Sequence, residues 1–128
     1  MKTPKNFEIS NEDIGYLIVC ALEGGINYWC RNAEKKRNED GTFFGVSAED
    51  QEKIEYASDL IGHNGTIILH DAESSDKWEL TPEKFLKAVD MTLEWGEYES
   101  VEEMMDNHDA ETADVLVQYA IFDEITFG

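Results

Sequence analysis

The stretch from Thr66 to Leu80 leaves this chain few ways to fold. Thr66-Ile67-Ile68-Leu69-His70 is short and β-branched, Asp71 to Asp76 is polar, and Lys77-Trp78-Glu79-Leu80 alternates. Two such runs joined by a turn predict a β-hairpin over 66–80. Thr81-Pro82 follows at once. A threonine cap with proline at the first helical position, where the missing N–H costs nothing, predicts a helix fed directly by the hairpin. Phe85, Leu86, Val89 and Leu93 give that helix one apolar face, and Gly96 is placed to stop it. A hairpin followed by an amphipathic helix predicts helices packed on an antiparallel sheet.

The rest of the chain extends that reading. Phe7-Glu8-Ile9 alternates as a short strand would. Ser10 or Asn11 caps a helix carrying Glu12 and Asp13 in its first turn and Ile14, Leu17, Ile18, Ala21 and Leu22 at helical spacing. Gly24-Gly25 supplies a left-handed end, and Ile26 to Cys30 reads as the strand leaving it. Residues 31–46, with Arg31, Lys35, Lys36, Arg37 and the turn-like Asn38-Glu39-Asp40-Gly41, read as an exposed loop. Ser47 opens a helix whose apolar face is Ile54, Ala57, Leu60 and Ile61, ended by Gly62 to Gly65. A short helix over Val101–Met105 and a last one over Thr112–Phe122, with Val115, Leu116, Tyr119 and Ala120 inward, precede a closing strand at 124–127. The expectation is one α+β domain over residues 1–128, a small mainly antiparallel sheet with three to four helices packed on it.

A chain of 128 residues with 41% apolar residues can bury a real core. No apolar run reaches the ~20 residues of a membrane span, and no signal-peptide pattern follows Met1. Cys20 and Cys30 therefore read as reduced thiols, Cys20 as a small buried hydrophobe.

Ala21-Leu22-Glu23-Gly24-Gly25-Ile26-Asn27-Tyr28-Trp29 resembles a signature at the start of small acidic proteins from bacteriophages, prophages and gut-type bacteria. Asp71-Ala72-Glu73, Lys77 to Thr81, Ala113-Asp114 and the tail Gln118 to Gly128 are similar to the same family, in the same order. The family tail usually has glycine where this chain has Asp123. The resemblance carries over no catalytic residue, and it implies an origin in a mobile element. A fold role accounts for the signature physically: Tyr28 and Trp29 point to opposite sides, with Trp78 and Phe127 able to extend the packing of the inner one.

Known chemistry finds no pattern here. There is no nucleophile elbow and no phosphate loop. Cys30 with His63 or His70 is the only thiol–imidazole combination to test. His70 and Asp71 would point to opposite faces of a strand. The acidic runs from Asp71 and from Asp106 lack the glycine and glutamate of a calcium loop, and two cysteines with scattered histidines are no zinc set. No metal, cofactor or catalytic residue is implied.

Charge is the functional signal. The chain holds 29 acids and 10 bases, net −19. Lys87 is the last base; residues 88–128 carry 12 acids and net −12, against net −7 for residues 1–87. This balance argues against direct nucleic-acid or membrane binding, since both are polyanions. It suits a basic partner. Glu94, Glu97, Glu99, Glu102, Glu103, Asp106, Asp109, Glu111 and Asp114, with Tyr98 as an aromatic anchor, form the candidate binding face. Carboxylates spaced in this way imitate DNA phosphates. Phage-encoded inhibitors of CRISPR nucleases and restriction enzymes are often small and acidic, an analogy of class, size and charge. The expected function is a non-enzymatic phage or prophage inhibitor of a host nucleic-acid-targeting defence protein, acting in the bacterial cytoplasm. The alternative is a small-molecule-binding protein or small enzyme using His70, Tyr28 and Trp29 on the sheet. A homodimer is left open.

Overall fold

The computed structural model describes residues 1–95 and 98–128. Three strands, β1 (Cys30–Lys35), β2 (Ile67–Asp71) and β3 (Lys77–Leu80), form one antiparallel sheet in the order β1-β2-β3. Four α-helices accompany it: α1 (Asn11–Cys20), α2 (Pro82–Glu94), α3 (Val101–Asn107) and α4 (Ala110–Phe122). The fold is α+β. Ile14, Leu17 and Ile18 of α1, Ile67 and Leu69 of β2, Phe85 and Val89 of α2, and Leu116 of α4 meet in one continuous core.

The hairpin and the helix after it form as expected. Asp71 Oδ2 accepts from the N–H groups of Glu73 (3.1 Å) and Ser74 (2.8 Å), which closes the turn. Thr81 Oγ1 accepts from Lys84 N at 3.2 Å, with Pro82 in the first turn. Gly96, the expected stop, and Glu97 lie outside the described residues. Ser10 caps α1 by accepting from Asp13 N at 3.0 Å.

The glycine pair works differently from the expectation. The chain continues past α1 through a π-helical turn, Ala21–Gly25, and neither glycine is left-handed. A Cβ on Gly25 would lie 2.6 Å from the Ala110 carbonyl oxygen, so this glycine admits the start of α4. Gly24 faces nothing within 4 Å.

Other expectations are corrected. Residues 26–29 are bend and turn; the strand begins only at Cys30, the last residue of the expected strand, and runs to Lys35, into what reads as the 31–46 loop. The polar alternation of an edge strand looks like loop composition. The helix expected after Ser47 is three short 3₁₀ turns, Gln51–Lys53, Ala57–Asp59 and Ile61–His63. Asp59 Oδ2 accepts from both Glu55 N (2.9 Å) and Tyr56 N (2.8 Å), fixing a break where a helix would have run on. Ile54, Leu60 and Ile61 are buried all the same. Residues 7–9 make one isolated bridge, Lys2 to Glu8, rather than a strand. That N-terminal segment is held by Lys5 N donating to the buried Asp90 Oδ2 at 2.8 Å.

No closing strand forms at 124–127. Gln118, buried on α4, takes its place: its Oε1 accepts from Thr126 N and Phe127 N, both at 2.8 Å. Phe127 then stacks on Trp29 at 5.1 Å and 4°, and Trp78 and Phe122 pack edge-on around them. The inner position of the Tyr28-Trp29 pair thus extends to Trp78 and Phe127, as the sequence suggests.

Candidate functional site

α3 is amphipathic over a short length. Met104 is buried and Val101 and Met105 are half-buried, while Glu102, Glu103 and Asp106 are exposed. Glu99, Asp109 and Glu111 continue this exposed row into the first turn of α4. These six carboxylates have no ion-pair partner among the described residues.

Two of the six also build the backbone. Glu103 N donates to Ser100 Oγ at 3.0 Å, and Glu103 Oε2 accepts from Glu99 N at 3.0 Å, so this pair caps α3. Asp109 caps α4, accepting from Thr112 N (2.9 Å) and Thr112 Oγ1 (3.1 Å). Those bonds hold its carboxyl below the usual aspartate range. Glu99, Glu102, Asp106 and Glu111 have no acceptor role within the fold among the described residues.

The remaining candidates divide. Glu94 is exposed but neutralised by Lys5 at 2.6 Å. Glu97 lies outside the described residues. Tyr98 is not an exposed anchor: it is half-buried, and its hydroxyl meets Thr112 Oγ1 at 2.9 Å. Asp114 is corrected outright. It is 9% exposed, accepting from Trp29 Nε1 (2.8 Å), Tyr28 hydroxyl (2.6 Å) and Gln118 Nε2 (2.9 Å). α4 is rotated from the expected placing, so Asp114 and Gln118 are buried while Val115 and Tyr119 are only half-buried. Asp114 is a structural carboxylate.

Trp95 had no part in the sequence reading, and it is 56% exposed. It packs edge-on against Tyr119 at 4.9 Å. A cleft of about 210 Å³ lies on the same side of α4, lined by Thr92, Tyr98, Asp109, Glu111, Thr112 and Val115. Thr112, Val115 and Tyr119 follow at helical spacing, so the cleft leads toward Trp95. The face therefore combines unpaired acids with a projecting indole. A tryptophan at the end of a helix gives no period of its own, which is why the sequence did not single it out.

The alternative site does not assemble. His70 sits on the outer face of the sheet, where its Nε2 donates to Glu34 Oε1 at 2.8 Å. Trp29 packs against Trp78, which pairs with Leu69 on the opposite face. Cys30 is buried, and its Sγ donates to the Asn32 carbonyl at 3.3 Å rather than to a histidine. Burial pushes this thiol up. Cys20 is half-buried, not the buried hydrophobe expected; desolvation first, then Asp109 and Glu23, raise it too. Both thiols are protonated and weakly nucleophilic at neutral pH. No group of three or more metal-binding side chains converges among the described residues. No described helix is long and apolar enough to cross a membrane.

No family model, curated protein or solved structure matches this chain.

Proposed function

We propose that this chain is a non-enzymatic accessory protein of a phage or prophage that binds and inhibits a basic, nucleic-acid-targeting defence protein in the host cytoplasm. The observation that carries the reading is the row of exposed, unpaired carboxylates from Glu99 to Glu111. Like charges in one row cost stability; capping bonds offset part of that at Glu103 and Asp109, and no cation among the described residues pairs with the row. A partner groove lined with arginine and lysine would offset them on binding and would be drawn in at long range. Trp95 supplies the aromatic anchor such an interface needs at its centre, in the role first given to Tyr98.

The test separates the acids that build the fold from those that do not. Glu99→Lys, Glu102→Lys and Asp106→Lys together leave the caps of α4 intact. The triple variant is expected to stay folded and to lose inhibition and capture of the host protein. Capture by the native chain should weaken steeply as salt rises. Inhibition at native strength by the folded triple variant would overturn the reading.

A further inference from the structure

We infer that the open edge of β1 is a docking site for an extended acidic segment of a partner protein, which would add to the sheet as a fourth strand. β1 is an edge strand, bonded only to β2 within the sheet. Lys36 N donates to Thr66 O at 3.1 Å, continuing the β1–β2 register in which Glu34 meets Ile68 and Asn32 meets His70. These alternate residues turn their backbone groups toward β2. Ala33 and Lys35 consequently turn theirs outward, with no hydrogen-bond partner for either among the described residues. Such a row is a template for another strand.

A groove of about 650 Å³ runs along this edge, lined by residues 33–37 together with Tyr56, Ala57 and Ile68. Tyr56 is 63% exposed, the most exposed of the large hydrophobic side chains. It forms a lip that an apolar side chain of an incoming strand can cover.

Charge selects the occupant. Lys35 and Arg37 stand at alternate-residue spacing on the edge of a strongly acidic molecule, and Arg31 stands at the irregularity between Cys30 and Asn32. Arg31 Nε and Arg37 Nη1 donate to neutral carbonyls, of Asp71 (3.0 Å) and Gly41 (2.8 Å), and Lys35 has no ion-pair partner among the described residues. None of the three has an ion-pair partner among the described residues, and Arg37 lies over the Phe43 ring at 4.3 Å. A second copy is a poor fit. Antiparallel self-pairing centred on Lys35 sets that lysine against itself, and centring on Lys36 sets Lys35 against Arg37. Like charges directly opposite are destabilising. A strand carrying carboxylates at alternate positions meets cations instead. Screening beyond about 8 Å at physiological salt lets these local cations, rather than the acids of other elements, act on the docked strand, and Glu34, the acid within β1, is engaged by His70 Nε2 at 2.8 Å.

The probe is a short synthetic peptide alternating glutamate with threonine and valine, titrated into the isotope-labelled full chain. Saturable shifts of the Ala33 and Lys35 amides and the Tyr56 ring are expected, with hydrogen exchange at both amides slowed about tenfold or more. A peptide with lysine in place of glutamate should not bind. Lys35→Glu with Arg37→Glu should weaken binding about tenfold or more, and Lys35→Gln with Arg37→Gln by less. The proposal is overturned by absence of saturable binding at about millimolar peptide, by shifts away from β1, by unchanged affinity in both double variants, or by a free chain that already dimerises through this edge. The acidic face lies on other elements, so either result leaves the test of that face intact.

Discussion

Asp114 carries three segments of the chain at once: the 28–29 turn through Tyr28 and Trp29, α4 through Gln118, and the tail that Gln118 holds in turn. Removing its carboxylate leaves a buried indole N–H without an acceptor and takes one of three acceptors from the Gln118 amide. Asp114→Ala should therefore cost about 3 kcal/mol or more, read as a lower urea midpoint at unchanged slope, and Asp114→Asn should cost less. The same contact protects a phenol. Over half of the Tyr28 side chain is exposed (55%), yet its hydroxyl turns inward; desolvation first, then Asp114, push its pKa to about 12. The folded value lies above the unfolded one. The stabilisation is whole below about pH 10 and is lost as pH rises through about 12. Spectrophotometric titration should show a late tyrosine step that Tyr28→Phe abolishes, beside that of Tyr16, whose hydrogen bond to Glu12 also raises it. Asp123 is the opposite case. It ends α4 in the left-handed region at φ 59°, where glycine is the usual residue. Asp123→Gly should stabilise by about 0.5–1 kcal/mol, since the exposed pair with Lys87 that it loses is worth little. The end of this last helix at Phe122 was legible in the sequence. The burial of Asp114 was not, because its partners lie some 85 positions away.

Elements were legible where local chemistry alone decides them. The 66–80 hairpin and α2 carry their own turn and cap, Asp71 and Thr81, and both form as read. Elements decided by distant contacts were misread. β1 exists because β2 pairs with it, and its own residues, Cys-Arg-Asn-Ala-Glu-Lys, have no strand preference to show. Residues 51–63 carry apolar side chains at helical spacing, but the Asp59 carboxylate competes successfully for two N–H groups. The tail at 124–127 alternates like a strand, yet its backbone bonds go to a side chain. Gly24 and Gly25 give the sharpest element-scale test. Gly25→Ala drives a Cβ to 2.6 Å from the Ala110 carbonyl and must push α4 off the π-helical turn; a loss of about 1–3 kcal/mol is expected. Gly24→Ala meets nothing within 4 Å and, in a helical conformation, should be neutral or stabilising by up to about 1 kcal/mol. Equal effects at both positions would show that the pair acts as a flexible end rather than as a helix contact.

Across the whole molecule the charge is arranged by region. Four of the ten bases, Arg31, Lys35, Lys36 and Arg37, stand on β1 and its continuation, and six carboxylates without an ion-pair partner among the described residues stand between Glu99 and Glu111. The regional split was legible from the sequence. The face itself was legible only in part, because burial removed Asp114, a hydrogen bond drew Tyr98 inward, Lys5 neutralised Glu94, and Trp95 entered. A net charge of −19 makes the folded state repel itself more than the expanded chain does. Raising salt screens that repulsion, so the melting temperature should climb from low salt to physiological salt. Glu99→Gln, Glu102→Gln and Asp106→Asn should raise the melting temperature at low salt and flatten its salt dependence, because these three side chains cap nothing. In the same variant, binding to a basic partner should weaken. Stability and binding moving in opposite directions is what a face kept for recognition requires. Acids that serve only as a solvated exterior would give the first change without the second. Thermal melts over a salt series, run beside a binding titration on the same triple variant, separate the two.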